Sequence, residues 1–193
     1  MASPRIRRRR LVAGALVVAA LAAGVFLFAR DHKLKPWEIA GSVPWATHYY
    51  GNPDAPKYRD RHIVEIDFDG EPMYVNKAVA PHFLRLAQIF EQEAPEYAAA
   101  ITSVHDDWSY NNRDVRGADS KSMHAWGLAL DINALSNVLG TEGDMPQAVV
   151  DKWVEEGGAW GGDFSRPDPM HFESRLTPSE IKERYEPDGT PRD

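Results

Sequence analysis

The sequence predicts an α+β domain built from a small antiparallel sheet with flanking helices. Short runs of strand-forming residues are mixed with segments of helical periodicity, and they do not follow the regular strand–helix–strand alternation of a parallel sheet. An Asp69-Gly70 step between two strand-like runs is a strong hairpin signal. The chain has 193 residues, 43% of them hydrophobic, and six tryptophans, which is enough for one domain with a real core.

The first part of this domain is predicted to be a hairpin followed by a helix. Strand-like residues flank the Asp69-Gly70 turn, and apolar residues then recur at helical spacing. In chain order, the predictions are a strand at 63–68, a returning strand at 72–75 and a helix from about Lys77 to Glu93. Ala94-Pro95 either ends this helix or starts a second short helix through Ala100, and a strand is predicted at 101–104.

The second part is predicted to contain two strands and two helices. Residues 127–132 alternate between two faces, as in a strand. Asp144 with Gln147 three residues later suggests an N-terminal cap, and Thr177 with Glu180 forms a capping-box pattern with proline at the first helical position. The predictions are a strand at 127–132, a helix at 145–156, a strand at 170–173 and a helix from 178 through Tyr185.

The first thirty residues predict a membrane anchor. Five arginines precede Leu11–Ala29, a run of 19 residues without a charge, and ~20 apolar residues cross a bilayer as a helix. Because positive charge stays in the cytoplasm, we expect a single pass through the bacterial inner (cytoplasmic) membrane with the domain on its extracytoplasmic side. The alternative is a long signal peptide whose removal would secrete the domain.

The segment between this anchor and the first strand is rich in chain breakers. Four prolines and two glycines lie in residues 31–60, which predicts a linker and an irregular lead-in and not a helix or a long strand. Its aromatic residues suggest that it packs on the domain. The expected organisation is therefore a basic tail and anchor at 1–30, a lead-in at 31–60 and the folded domain at 61–193.

Composition limits both the chemistry and the partners that are open to the chain. The chain has no cysteine, so disulfides and thiolate metal sites are unavailable. Six of the 22 basic residues and none of the 29 acidic residues lie in the first thirty positions, so the remainder carries a formal charge of −13. Because phosphate binding needs a basic face, we expect no nucleic-acid partner.

Two histidines and an aspartate have the residue types that a catalytic metal site needs. Zinc in hydrolases takes three nitrogen or oxygen ligands and keeps a further position for water. His124 precedes Asp131 by seven residues, and Gly127 between them allows the chain to bend back. Asp168 lies three residues before His171, where a carboxylate can exchange a proton with a water molecule at the metal.

These residues carry a resemblance to a known family. The segment Ser122-x-His124-x-x-Gly127-x-Ala129-x-Asp131 resembles the S-x-H-x-x-G-x-A-x-D signature of the zinc D-alanyl-D-alanine carboxypeptidase family, which includes VanX-type dipeptidases and L-alanyl-D-glutamate endopeptidases. The later Asp168-x-x-His171 pattern agrees with the family's second motif. The surrounding residues are most similar to the endolysin-like endopeptidase branch, and the resemblance covers about residues 60–185. It implies a hedgehog/DD-peptidase-like zinc fold.

The resemblance also implies a role for individual residues. His124, Asp131 and His171 would bind one zinc ion, and Asp168 would be the general base. Ser122 would hydrogen-bond substrate or support the loop of His124. The family places a substrate-binding arginine upstream, where a developing oxyanion needs a fixed positive partner. Arg113 and Arg116 are the candidates, with Arg113 preferred.

The implied activity is zinc-dependent hydrolysis of amide bonds in peptidoglycan stem peptides. Both the D-Ala-D-Ala carboxypeptidase and the L-Ala-D-Glu endopeptidase type remain open, because the choice depends on pocket loops. The alternative from another class is a non-catalytic, metal-stabilised module that binds the cell wall or a protein partner. The ligands and the base are all present, which favours the enzyme.

Overall fold

A computed structural model of the protein describes residues 34–101 and 108–193. It is α+β, with two small antiparallel sheets and flanking helices, as predicted. The α-helices are α1 (Val43–Tyr50), α2 (Tyr58–His62), α3 (Ala80–Glu93), α4 (Pro95–Ala98), α5 (Gln147–Glu155) and α6 (Pro178–Arg184). The strands are β1 (Ile63–Phe68), β2 (Glu71–Asn76), β3 (Ala129–Asp131), β4 (Gly158–Trp160) and β5 (His171–Ser174). Short 3-10 helices span Pro36–Glu38, Met123–Trp126 and Gly161–Asp163.

Two helices occupy a region for which the sequence predicts irregular chain. Helix α1 begins after Ser42, whose hydroxyl accepts a hydrogen bond from the Trp45 backbone N–H at 3.2 Å. Pro44 lies in the first turn, where a missing N–H and a fixed φ favour a helix start. The prediction treated this proline as a breaker and was therefore wrong about α1. Of the aromatic residues expected to pack on the domain, Trp45 and Tyr50 are buried in the core, whereas Trp37 and Tyr49 are exposed.

The predicted hairpin is present. Strands β1 and β2 pair antiparallel, with Ile63 opposite Asn76 and Phe68 opposite Glu71. Asp69 and Gly70 connect them, both at positive φ (53° and 89°), as a two-residue turn of this handedness requires. Helix α3 then packs its apolar face on the core, beginning at Ala80 and not at Lys77, because Pro81 favours the first turn.

The second sheet has the strand order β3-β5-β4, with β5 in the centre and antiparallel to both neighbours. Leu130 lies opposite Phe172, and both side chains are fully buried. Residues one position away on each strand point to the other face of the sheet. One face of the sheet therefore belongs to the hydrophobic core, and the other can carry polar groups.

The predicted cap of α5 is wrong. The residue before α5 is Pro146, and no side chain caps this helix end. One carboxylate oxygen of Asp144 instead accepts hydrogen bonds from the side chains of Tyr97, Ser136 and Asn137. The capping box of α6 is confirmed: Thr177 accepts from the Glu180 N–H, and Glu180 accepts from the Thr177 N–H at 2.7 Å. The predicted strand at 101–104 falls mostly on 102–107, outside the described residues, and Ile101 is in no strand.

The predicted location in the inner membrane is contradicted. Between residues 34 and 101 and from 108 onward, no helix is long and apolar enough to cross a bilayer. The longest helix there, α3, has only 14 residues. The segment Leu11–Ala29, on which the prediction depended, lies outside the described residues.

Candidate metal centre

Two of the predicted ligands are cross-strand neighbours. In the antiparallel pairing of β3 with β5, Asp131 lies directly opposite His171. Residues opposite each other in such a pair have their Cβ atoms about 5 Å apart on the same face of the sheet. The register of the sheet therefore brings together two side chains that are 40 residues apart in sequence.

The third predicted ligand, His124, comes from the short 3-10 helix Met123–Trp126. The Ser122 hydroxyl accepts a hydrogen bond from the His124 N–H at 3.4 Å and caps this helix. Gly127 ends it in the left-handed conformation, with φ of 70°. A Cβ at Gly127 would lie 2.6 Å from the backbone nitrogen of Asn76, so only glycine fits this turn. The turn directs the chain into β3 and brings His124 back over Asp131.

The ligand atoms of these three side chains converge. His124 Nε2 lies 3.0 Å from Asp131 Oδ1 and 3.2 Å from His171 Nδ1, and the latter lies 3.0 Å from Asp131 Oδ1. All three residues are buried. Ligand atoms at the corners of a tetrahedron around zinc, with bonds of about 2.0–2.1 Å, would be about 3.3 Å apart. The spacing of the donors therefore fits one such ion.

The other ring nitrogen of each histidine has a hydrogen-bond acceptor. His124 Nδ1 lies 2.8 Å from the Ser109 carbonyl oxygen, and His171 Nε2 lies 3.1 Å from Glu173 Oε2. A ring nitrogen that donates to such an acceptor carries the proton, so the opposite nitrogen presents its lone pair. Both lone pairs then face Asp131 Oδ1, and three electron-rich atoms at this distance need a cation between them.

The electrostatics of the centre also favour positive charge. Burial alone would raise the pKa of Asp131, but His124 and His171 hold it well below its usual range. Burial alone would lower the pKa of His171, but hydrogen bonds and negative charge from Asp131 and Glu173 raise it to about 10. Two imidazole nitrogens and one carboxylate oxygen are a donor set that suits zinc.

Asp168 lies beside this centre on the loop that leads into β5. Its N–H donates to the Gly161 carbonyl at 2.8 Å, and the Trp160 indole N–H donates to the Pro169 carbonyl at 2.7 Å, which fixes the loop on both sides. Asp168 lines the same cleft as Asp131 and His171. Burial raises the pKa of its carboxyl group, against the lowering effect of the charge on His171. Within the described chain, Asp168 Oδ1 is buried without a hydrogen-bond partner.

The remaining predicted site residues line the same cleft, which has a volume of about 820 Å³. Of the two candidate arginines, Arg113 reaches the metal centre: its Nη2 lies 4.0 Å from Asp131 Oδ2. Arg116 and Ser122 also belong to the cleft lining, Arg116 as an exposed residue and Ser122 as a buried one.

Sequence reasoning missed three contributors to the site. The Ser109 carbonyl is a backbone group, so its residue type carries no signal. Arg166 and Arg175 also line the cleft. Their signal was their proximity in sequence to Asp168 and to His171, but nothing in the sequence shows which way those side chains point.

The geometry is compatible with a metal centre. A buried triad of two histidines and an aspartate, next to a carboxylate in an open cleft, offers three ligands for one metal ion. Residues 116–174 match the model of a family described as D-alanyl-D-alanine carboxypeptidase. That segment contains the whole triad and Asp168, and it supports a place for the chain among the zinc peptidases. No curated protein and no solved structure shows significant similarity to the chain.

Proposed function

We propose that the protein is a zinc-dependent peptidase that hydrolyses amide bonds in peptidoglycan stem peptides, of the D-Ala-D-Ala carboxypeptidase or L-Ala-D-Glu endopeptidase type. The observation that carries the proposal is the convergence of His124 Nε2, Asp131 Oδ1 and His171 Nδ1 to within 3.2 Å of one another at an open cleft. The matching family segment, which contains all three residues, supports the same activity.

The three converging residues would hold the zinc ion. When bound, zinc would polarise the scissile carbonyl group and make a water molecule more acidic. Asp168 lies beside them with a carboxylate oxygen that makes no hydrogen bond to described residues. The Asp168 carboxylate would accept a proton from the attacking water and return it to the departing amine. Asp168 is therefore the proposed general base and general acid.

Arg113 is the proposed partner of the developing oxyanion. Its guanidinium group lies at the edge of the centre, 4.0 Å from the Asp131 carboxylate, and about two fifths of its side chain is exposed to the cleft (41%). A fixed positive charge there would stabilise the negative charge that forms on the carbonyl oxygen during attack. Ser122 is proposed to keep His124 in place through the cap of its 3-10 helix, and Arg116 to contact substrate farther along the cleft.

The cleft carries basic residues although the domain is acidic. Arg113, Arg116, Lys121, Arg166 and Arg175 line it, against Asp131, Asp168 and Glu173. Arg116 and Arg166 are exposed, and no carboxylate in the described part of the chain forms an ion pair with either. In a region with a formal charge of −13, unpaired guanidinium groups in one cleft favour an anionic ligand. Stem peptides carry several carboxylates, and so fit this requirement.

Arg166→Gln tests the recognition of substrate carboxylates. We expect kcat/KM for a stem peptide with free carboxylates to fall about tenfold, the effect of one lost charge-assisted hydrogen bond. The same peptide with its carboxylates converted to amides should be cleaved equally by the variant and the parent. Arg61→Gln, which removes the same charge from an exposed position outside the cleft, is the control. Equal losses on both peptides would rule out carboxylate recognition by Arg166.

Hydrolysis of purified peptidoglycan tests the function itself. The protein with zinc should release new amino groups or free D-alanine, and mass spectrometry of a digested muropeptide would identify the bond. A chelator should abolish the release, and added zinc should restore it. A protein that binds zinc and peptidoglycan but releases nothing would instead be a metal-stabilised binding module.

A further inference from the structure

An arginine behind the metal centre connects it to the N-terminal segment. Arg175 forms an ion pair with Glu173, and its Nη1 donates to the Ala40 carbonyl oxygen at 2.8 Å. Glu173 in turn accepts from His171 Nε2 at 3.1 Å. A continuous chain of contacts therefore runs from Ala40, outside the segment that matches the family model, to the ring of His171, one of the predicted metal ligands.

Glu173 needs this arginine because of where it lies. Its side chain is 5% exposed, and it faces Ala129 across the β3–β5 pair, where the small methyl group leaves room for it. A carboxylate removed from water in this way is tolerated only when it is paired and hydrogen-bonded. The His171 ring hydrogen-bonds one carboxylate oxygen of Glu173, and the Arg175 guanidinium group forms an ion pair with the other.

Gly41 shows that the N-terminal segment is fitted closely to the arginine. Gly41 has a φ of 76°, and a Cβ at this position would overlap the guanidinium group of Arg175. Gly41 and Val43 also line the cleft together with His171 and Arg175. The segment is therefore one wall of the cleft and, at the same time, a support for the arginine.

We propose that Arg175 is a positioning residue that clamps the segment around Ala40 and Gly41 onto Glu173, and thereby sets the orientation of His171 for metal binding. The proposal rests on the zinc site of the proposed function. It makes the N-terminal segment a part of the metal centre, although none of that segment's residues touches the ion. Partners of this kind typically contribute 10–100-fold to metal affinity.

A double-mutant cycle on the full chain tests the clamp, with the zinc dissociation constant measured by competition with a chromophoric chelator. Arg175→Met should weaken zinc binding about tenfold, because Glu173 loses the ion pair that holds it against the His171 ring. Glu173→Gln can still accept from the His171 ring but carries no charge. In that background Arg175→Met should change zinc affinity by less than about twofold, the limit for independent sites. Equal losses in both backgrounds would overturn the proposal, because a merely structural role of Arg175 does not depend on the Glu173 charge.

Gly41→Ala tests the same clamp from the N-terminal segment, without touching the arginine. Its Cβ should displace the Arg175 guanidinium group and weaken zinc binding in the same direction as Arg175→Met. Gly117→Ala is the matched control, since Gly117 also has a positive φ (85°) but nothing lies within 4 Å of its added Cβ. Thermal melts of the metal-free proteins show whether each variant is folded.

The outcomes separate this proposal from the proposed function. If the parent protein binds no zinc, both are wrong. If the parent binds zinc and hydrolyses peptidoglycan, but Gly41→Ala and Arg175→Met bind zinc as tightly as the parent does, the clamp is wrong and the function stands. Weaker binding in both variants and not in Gly117→Ala supports the clamp.

Discussion

Asp168→Asn is expected to abolish hydrolysis while zinc remains bound. Asparagine has almost the same shape as aspartate but cannot accept the proton that the base must take. General acid–base groups contribute about 10²–10⁴-fold to rate, so kcat should fall at least a hundredfold. Zinc content should stay equimolar with protein, because the three converging donor atoms belong to other residues.

Asp163→Asn is the matched control for this variant. Asp163 lies at the end of a 3-10 helix only five residues before Asp168, and it is exposed and does not line the cleft. Its substitution should leave both activity and zinc content unchanged. Loss of zinc from Asp168→Asn would show that Asp168 is a ligand, and full activity would remove it from the mechanism.

His171→Ala is expected to lose both zinc and activity. The substitution removes Nδ1, the atom proposed to bind zinc, and also removes the Nε2–H group that donates a hydrogen bond to Glu173. Two buried carboxylates, Asp131 and Glu173, then lose their common partner. Zinc affinity should fall by more than about 100-fold, which is the upper value for losing a residue that only hydrogen-bonds a metal ligand.

Metal analysis of the dialysed protein, together with the peptidoglycan assay, checks this result. His48→Ala is the control, because His48 is exposed in α1 and stacks on Trp37 at 5.5 Å between ring centroids, away from the cleft. It should retain zinc and activity. If His171→Ala keeps an equimolar zinc ion, the assignment of the third ligand is wrong.

Local signals predicted the parts of the fold that depend on local chemistry. The Asp69-Gly70 turn and the Thr177 capping box each satisfy their backbone groups within a few residues, so their sequence patterns were sufficient. Asp144 had the pattern of a helix cap, but the side chains of Tyr97 and Asn137 compete for its oxygen. A contact with a residue 47 positions away is not visible in a local pattern.

The same distinction applies to the site. The metal triad was predicted from two sequence motifs and their resemblance to a family, and the β3–β5 register explains why distant residues meet. The connection through Arg175 to Ala40 spans 135 residues, so only the folded chain reveals it.

Anomalous X-ray diffraction tests the metal centre most directly. Crystals grown with equimolar zinc would be measured on both sides of the zinc absorption edge. We expect one anomalous peak between His124 Nε2, Asp131 Oδ1 and His171 Nδ1, at about 2.0–2.1 Å from each. A peak elsewhere, or none at this position in zinc-loaded protein, would contradict the assignment of the metal centre and with it the proposed peptidase.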